Sequence, residues 1–205
     1  MTLGQRFARF VTDVVVRVPA LWALFRRPLR AMFDRIAPTW EARRSPDAYA
    51  SLEAALDRLP VRPSRVLDLG TGAGTAALFA ARRFPDAEVV GVDVSPGMIE
   101  QARARLTPDL APRLRFEVAD AARLPFDEPF DLVLAANMIP FFDELARVVA
   151  PGGRVLFAFS RGPQTPIYVP AERLRRELSR RGFGRFEDVA AGPGTALLAV
   201  RTAGV

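Results

Sequence analysis

The sequence predicts an α/β fold: a doubly wound, seven-stranded, mostly parallel sheet that closes with a C-terminal antiparallel hairpin and is preceded by an N-terminal helical arm. Three observations lead there. From residue 47 onward, short apolar runs alternate with Ala- and Leu-rich amphipathic stretches, and strands separated by helices must pair in parallel through right-handed crossovers. The last two runs are joined only by Ala191 to Gly194, so they must fold back on each other. The first 46 residues carry helical periodicity and a charge balance of their own. With 205 residues the chain can build one core, divided into an arm or lid over 1–46 and a domain over 47–205.

In the arm, Phe7, Phe10, Val11, Val14, Val15, Val18, Leu21, Trp22 and Phe25 recur at three-and-four spacing, which predicts one apolar helical stripe. Leu29, Met32, Phe33 and Ile36 continue it. Pro19, Pro28 and Pro38 predict short helices that step at each proline. This segment holds nine arginines against Asp13, Asp34 and Glu41, an excess of six, whereas the remaining residues balance 20 arginines with 20 acids. Asp13 and Arg17 interrupt the apolar run well short of the roughly 20 residues that a membrane span requires, so neither a signal peptide nor a span is expected and the location is cytoplasmic. The stripe can serve as a lid packed on the domain, as a dimer element, or as a peripheral anchor whose arginines face anionic lipid.

Along the domain, the pattern predicts a helix over 47–59, a strand over 65–69, a glycine-rich turn, a helix over 74–84, a strand over 88–93, a helix over 96–106 and a strand over 114–119. There follow a strand over 130–136, a helix over 141–149, a strand over 154–160, a helix over 171–181 and closing strands over 185–190 and 195–201.

Composition removes much chemistry. The chain has no cysteine and no histidine, and all 29 basic residues are arginine. Thiolate and imidazole catalysis, Cys-zinc and iron-sulfur sites and lysine Schiff bases are excluded, which leaves reactions that ask little of side chains. No metal site is expected.

In doubly wound sheets, ligands sit beyond the carboxyl ends of the strands at the switch point, here the end of the first strand. That segment reads Asp68-Leu69-Gly70-Thr71-Gly72-Ala73-Gly74-Thr75. Alternating glycines let a ligand approach the backbone. The dinucleotide spacing Gly-x-Gly-x-x-Gly is not met, since counting from Gly70 it ends on Thr75 and no glycine completes it from Gly72. Asp68, two residues ahead of the first glycine, suits an ammonium group better than a phosphate.

With these motifs the chain resembles the class I S-adenosylmethionine-dependent methyltransferases over about residues 47–205, which implies their Rossmann-like fold and S-adenosyl-L-methionine as cofactor. Their first motif, an acid followed by alternating glycines, is matched by Asp68, Gly70, Gly72 and Gly74. Further landmarks are Asp93 with Val94 at the end of the second strand, Asp120 with Ala121 after the third, and Pro151-Gly152-Gly153 before the fifth. The resemblance implies that Asp93 accepts the ribose hydroxyls, that Asp120 and the Ala121 amide hold adenine, with Met98 and Phe126 as apolar walls, and that Asn137, Met138 and Ile139 lie under the methionine part. Phe33 to Trp40 is similar to the entry segment of small-molecule and quinone methyltransferases, which would bring Trp40 near the site. The function implied is methyl transfer to a small or lipid-like acceptor, mainly by positioning, rather than to nucleic acid or protein. No catalytic residue is assigned, although Tyr49, Asp143, Glu144 and Tyr168 are the nearest proton acceptors by position. The alternative is a non-catalytic cofactor-binding or scaffold protein, membrane-associated through its basic arm.

Overall fold

A computed structural model describes residues 1–43 and 45–202. The seven strands are β1 (Arg65–Leu69), β2 (Glu88–Asp93), β3 (Leu114–Val118), β4 (Phe130–Ala136), β5 (Val149–Phe159), β6 (Phe183–Ala191) and β7 (Gly194–Arg201), in the spatial order β3-β2-β1-β4-β5-β7-β6. β1 to β5 are parallel, and β7 runs antiparallel to both β5 and β6. The chain winds outward from β1 to β3 and then returns to β4, so the carboxyl ends of β1 and β4 border the switch-point crevice.

Alternation along each strand sends side chains to two cores. Leu67, Leu69, Val90, Val92, Val133, Phe157 and Leu197 face one side, with α6 (Phe142–Val148) and α7 (Ala171–Ser179) contributing Leu145, Leu174 and Leu178. Val66, Val89, Leu132, Leu134, Leu156 and Leu198 face the other, covered by α3 (Ala50–Leu56), α4 (Thr75–Arg83) and α5 (Pro96–Ala104). Both faces are apolar because both are covered by helices.

The arm forms α1 (Leu3–Arg17) and α2 (Trp22–Ile36). Thr2 and Gln5 make a reciprocal capping box at the start of α1, with Gln5 N donating to Thr2 Oγ1 at 3.3 Å and Thr2 N to Gln5 Oε1 at 2.9 Å. Val11, Val15, Val16, Trp22 and Leu29 are part of the first core, so the stripe is packed on the sheet side of the domain. Phe10 and Val18 depart from the expected stripe and are exposed. Pro19 and Pro38 fall in 3-10 turns as the sequence leads one to expect, but Pro28 sits inside α2. Its missing N–H frees the carbonyl of Leu24, which lies on an exposed face where water can satisfy it.

β5 also differs from expectation. It starts at Val149 and takes in Pro151-Gly152-Gly153, which the pattern places ahead of the strand, and its register against β4 shifts between Phe130 and Leu132. Gly152, at φ +79°, allows this irregular start without a helix-to-strand loop.

Gly74 carries a sharper constraint. Its φ is +83°, and a Cβ there would meet the Phe116 ring at 2.7 Å. Gly74→Ala should therefore destabilise the fold by about 2 kcal/mol or more, from the left-handed backbone and the overpacked ring together. Urea denaturation would check this through a lower midpoint at unchanged slope.

Candidate functional site

The carboxyl ends of the strands are laced together by loop amides. Thr71 N donates to Val92 O at 2.9 Å, Ala119 N to Asp93 O at 3.0 Å and Asn137 N to Ala158 O at 2.8 Å, which fixes the tips of β1, β2, β4 and β5 and the chain just past β3. Asp68 is only 1% exposed. Its Oδ2 accepts from Thr71 Oγ1 at 2.6 Å and from Ala77 N at 3.0 Å, so this carboxylate braces the glycine turn against the first turn of α4. Gly70, Gly72 and Gly74 all have positive φ. A Cβ on Gly70 would touch Met138 at 3.0 Å, and one on Gly72 would lie 3.4 Å from Trp40 Nε1.

Asp93 ends β2 as expected and faces the turn. Its Oδ2 accepts from Gly72 N at 3.0 Å and its Oδ1 from Ser95 N at 2.9 Å. Burial pushes its carboxyl up to about 6, against those amide donors and with a further rise from Asp34. Val94 is half-buried beside it, and Met98 is buried in the α5 that follows. Asp120 stands just past β3 with Ala121 buried next to it. Ala122 N donates to Asp120 Oδ1 at 3.0 Å.

Asn137 adopts φ +52°, a left-handed conformation that Asn tolerates better than most residues. Its side-chain Oδ1 accepts from Ser160 N at 2.9 Å, so it locks the tips of β4 and β5, and what it offers the crevice is backbone. Phe126 is not in this group. It packs edge-on against Phe130 at the amino end of β4, the far end of the sheet from Asp93, so the aromatic wall expected from it is absent.

The arm supplies the residues that local patterns did not reveal. Trp22 Nε1 donates to Asp120 Oδ1 at 2.8 Å, and Arg26 reaches Asp120 Oδ2 at 3.4 Å. Asp34 caps α5, accepting from Ser95 Oγ at 2.6 Å and Gly97 N at 3.0 Å. Desolvation pushes Asp34 up, but those donors and Arg30 outweigh it and hold the group below the ordinary carboxylate value. Glu41 and the side chain of Arg105 pair at 3.2 Å, and Arg105 also donates to Ala73 O at 2.7 Å, which ties the arm to the glycine turn. The one signal that could have pointed to Asp34 is that it is the sole acid in an arginine-rich helix.

The expected proton acceptors are otherwise engaged. Asp143 pairs with Arg181 at 2.6 Å, and Glu144 accepts from Leu124 N and Arg147, both at 2.6 Å. Desolvation raises Glu144, yet these partners bring it below its ordinary value, which makes it a poor base. Tyr168 stacks edge-on against Phe159 at 4.9 Å, and burial pushes its phenol up. Among the described residues no cluster of acids could hold a metal ion.

Residues 66–153 match the family model of a methyltransferase domain. A trans-aconitate 2-methyltransferase of Methylobacterium radiotolerans is 42% identical over 135 residues, covering 62% of this chain and 48% of the relative. A demethylmenaquinone methyltransferase of Thermus thermophilus is 38% identical over 141 residues, covering 61% of this chain and 62% of the relative. The chain spans about half the length of the curated relatives it matches. Human N-acetylserotonin methyltransferase in complex with S-adenosylmethionine superposes with a TM-score of 0.62 at 19% identity, over 89% of this chain and 59% of that one. The domain match runs from β1 to the start of β5, the part of the chain that holds the glycine turn, Asp93 and Asp120, and in this match and these relatives the chain is similar to S-adenosylmethionine-dependent methyltransferases.

Proposed function

We propose that the chain binds S-adenosylmethionine in the crevice at the ends of β1 and β2 and transfers its methyl group to a small acceptor held beneath the arm. The residues fit such a guest. Trp40 Nε1 is buried with no acceptor among the described residues and lies over the bare α-carbon of Gly72. This observation carries the proposal, because a buried unsatisfied donor costs about 1–3 kcal/mol and a ligand oxygen above the turn would remove that cost. Asp93 would hold the ribose hydroxyls and Asp120 the adenine amine, while Gly70 and Gly72 give the ligand access to the backbone.

The cofactor supplies an activated methyl carbon, so no protein nucleophile is needed. What the chain contributes is alignment, which can supply roughly 7–11 kcal/mol. The arm excludes water, since Arg9 donates to Pro163 O at 2.7 Å and Thr165 O at 2.6 Å and Arg173 donates to Val16 O at 3.0 Å, pinning α1 over the segment after β5 and onto α7. A mostly apolar cavity of about 290 Å³ beside the end of β5, lined by Phe159, Tyr168, Val169, Leu174 and Leu197, supports an acceptor with an apolar part. Incubation with methyl-labelled cofactor and a panel of carboxylic acids and prenylated quinols tests the activity; label should enter at least one small acceptor, and cofactor binding without transfer to any would favour a scaffold.

A second reading has one observation in its favour. Leu3, Phe10, Val18 and Leu24 are exposed on the arm among Arg6, Arg17, Arg26 and Arg27, a face suited to an anionic bilayer surface. No helix among the described residues is long and apolar enough to cross a membrane.

Asp93 gives the first proposal a pH signature. Its carboxyl titrates at about 6 and must be ionised to accept two hydroxyls, so affinity for S-adenosylhomocysteine should rise with pH and be about tenfold weaker at pH 5 than at pH 7. Calorimetry across that window would check it; the profile should flatten in Asp93→Asn.

A further inference from the structure

We propose that Trp22, on the arm, is a positioning residue of the adenine subsite: it clamps one oxygen of the Asp120 carboxylate so that the other is presented to the exocyclic amine. The inference rests on the cofactor reading above and goes beyond it by making the arm part of base recognition.

The two oxygens of Asp120 are in different situations. Oδ1 accepts from Trp22 Nε1 at 2.8 Å and from Ala122 N at 3.0 Å, two full-strength bonds from directions set by separate parts of the chain. Oδ2 has a single contact of 3.4 Å with Arg26, whose side chain is 49% exposed. A carboxylate free to rotate would present either oxygen, whereas one clamped at Oδ1 presents only Oδ2 and leaves it able to accept. The clamp is itself rigid. Trp22 is only 8% exposed and stacks edge-on against Phe141, with ring centroids 5.3 Å apart. It opens α2 directly after the 3-10 turn at Pro19–Leu21, which sets where the indole enters. Asp120 is held from its own side too, since Arg123 N donates to its carbonyl at 2.9 Å.

An acceptor held in one orientation discriminates between bases. A 6-amino group donates to Oδ2, while a 6-oxo group in the same place sets two acceptors against each other and leaves a buried polar group unpaired. The docked arm should therefore confer preference for adenine over hypoxanthine, and loosening the clamp should erode that preference specifically.

The test is calorimetry of the full chain with S-adenosylhomocysteine and with S-inosylhomocysteine, its 6-oxo analogue, for wild type and Trp22→Phe. Trp22→Phe keeps a ring against Phe141 and removes the N–H together with part of the buried indole, a packing loss that would weaken both ligands alike. It should bind the amino ligand about tenfold more weakly, with the 6-oxo ligand changed less than twofold, so that the preference collapses. Equal losses for both ligands in Trp22→Phe would reduce Trp22 to packing and overturn the proposal. Unchanged binding, or tighter binding as expected if the indole competes with adenine for Asp120, would overturn it as well. Should Trp22→Phe fail to fold, indole N–H resonances of the wild-type chain, which has two tryptophans, read the same point. On adding S-adenosylhomocysteine the Trp22 N–H must stay hydrogen-bonded, and its release would refute the clamp. A wild-type chain that binds neither nucleoside overturns the cofactor reading and this inference with it.

Discussion

Asp93→Ala should weaken S-adenosylhomocysteine binding by about 1.5–3 kcal/mol, or roughly 10- to 150-fold, the range for hydrogen bonds to a charged group. Two losses combine. The carboxylate would no longer accept the ribose hydroxyls, and Gly72 N and Ser95 N, which it now accepts at 3.0 and 2.9 Å, would lose their partner. The glycine turn and the start of α5 would then no longer be held together from one side chain. Asp93→Asn separates these effects, because its amide oxygen can still accept one of the two backbone donors while the charge is gone. Calorimetry on both variants, with thermal melting as a control for folding, checks the prediction; unchanged affinity in Asp93→Ala would take the residue out of the site.

Deleting residues 1–46 should have the largest effect on the protein as a whole. The arm buries Val11, Val15, Val16, Trp22 and Leu29 in the core on one face of the sheet, and each such side chain is worth about 1.5–3 kcal/mol when fully removed from water. Their loss would uncover Ile139, Phe141 and Phe142, which belong to that same core. The truncated chain should bind a hydrophobic dye, lose solubility and bind S-adenosylhomocysteine at least tenfold more weakly, since Trp22, Asp34 and Trp40 leave with the arm. An arm acting only as a lipid anchor makes the opposite prediction. The truncated domain would then be soluble and bind cofactor normally, and only the full chain would sediment with anionic vesicles, in a salt-sensitive way.

How far the sequence reached depended on the range of the contacts involved. β1, β2 and β4 have the boundaries expected from their apolar runs, because strands covered on both faces leave continuous Val and Leu stretches bounded by turn residues. The Gly72, Asp93 and Asp120 tips were legible for the same reason, as each sits at the end of such a run. Pro28 misled because the rule against proline inside a helix assumes that the freed carbonyl cannot reach water, and at Leu24 it can. Pro151-Gly152-Gly153 misled because a strand beginning with a glycine irregularity has the composition of a turn. Phe126 was assigned to the crevice by its place in the motif, but the chain after Asp120 carries it toward the other end of the sheet. Trp22 was not legible as a site residue, and Asp34 only as the one acid of an arginine-rich helix. Their partners Asp120 and Ser95 lie 98 and 61 residues away, and nothing in the periodicity of an amphipathic arm distinguishes a tryptophan that packs from one that also donates.

The most direct measurement of the central claim is a calorimetric titration of the full chain at pH 7 with S-adenosylhomocysteine and, separately, with NAD. The arrangement of Asp93, Asp120 and the Trp40 indole around a glycine turn without the dinucleotide spacing predicts one saturable site for the sulfur nucleoside and no heat from NAD. Saturable binding of NAD with no response to S-adenosylhomocysteine would contradict the account.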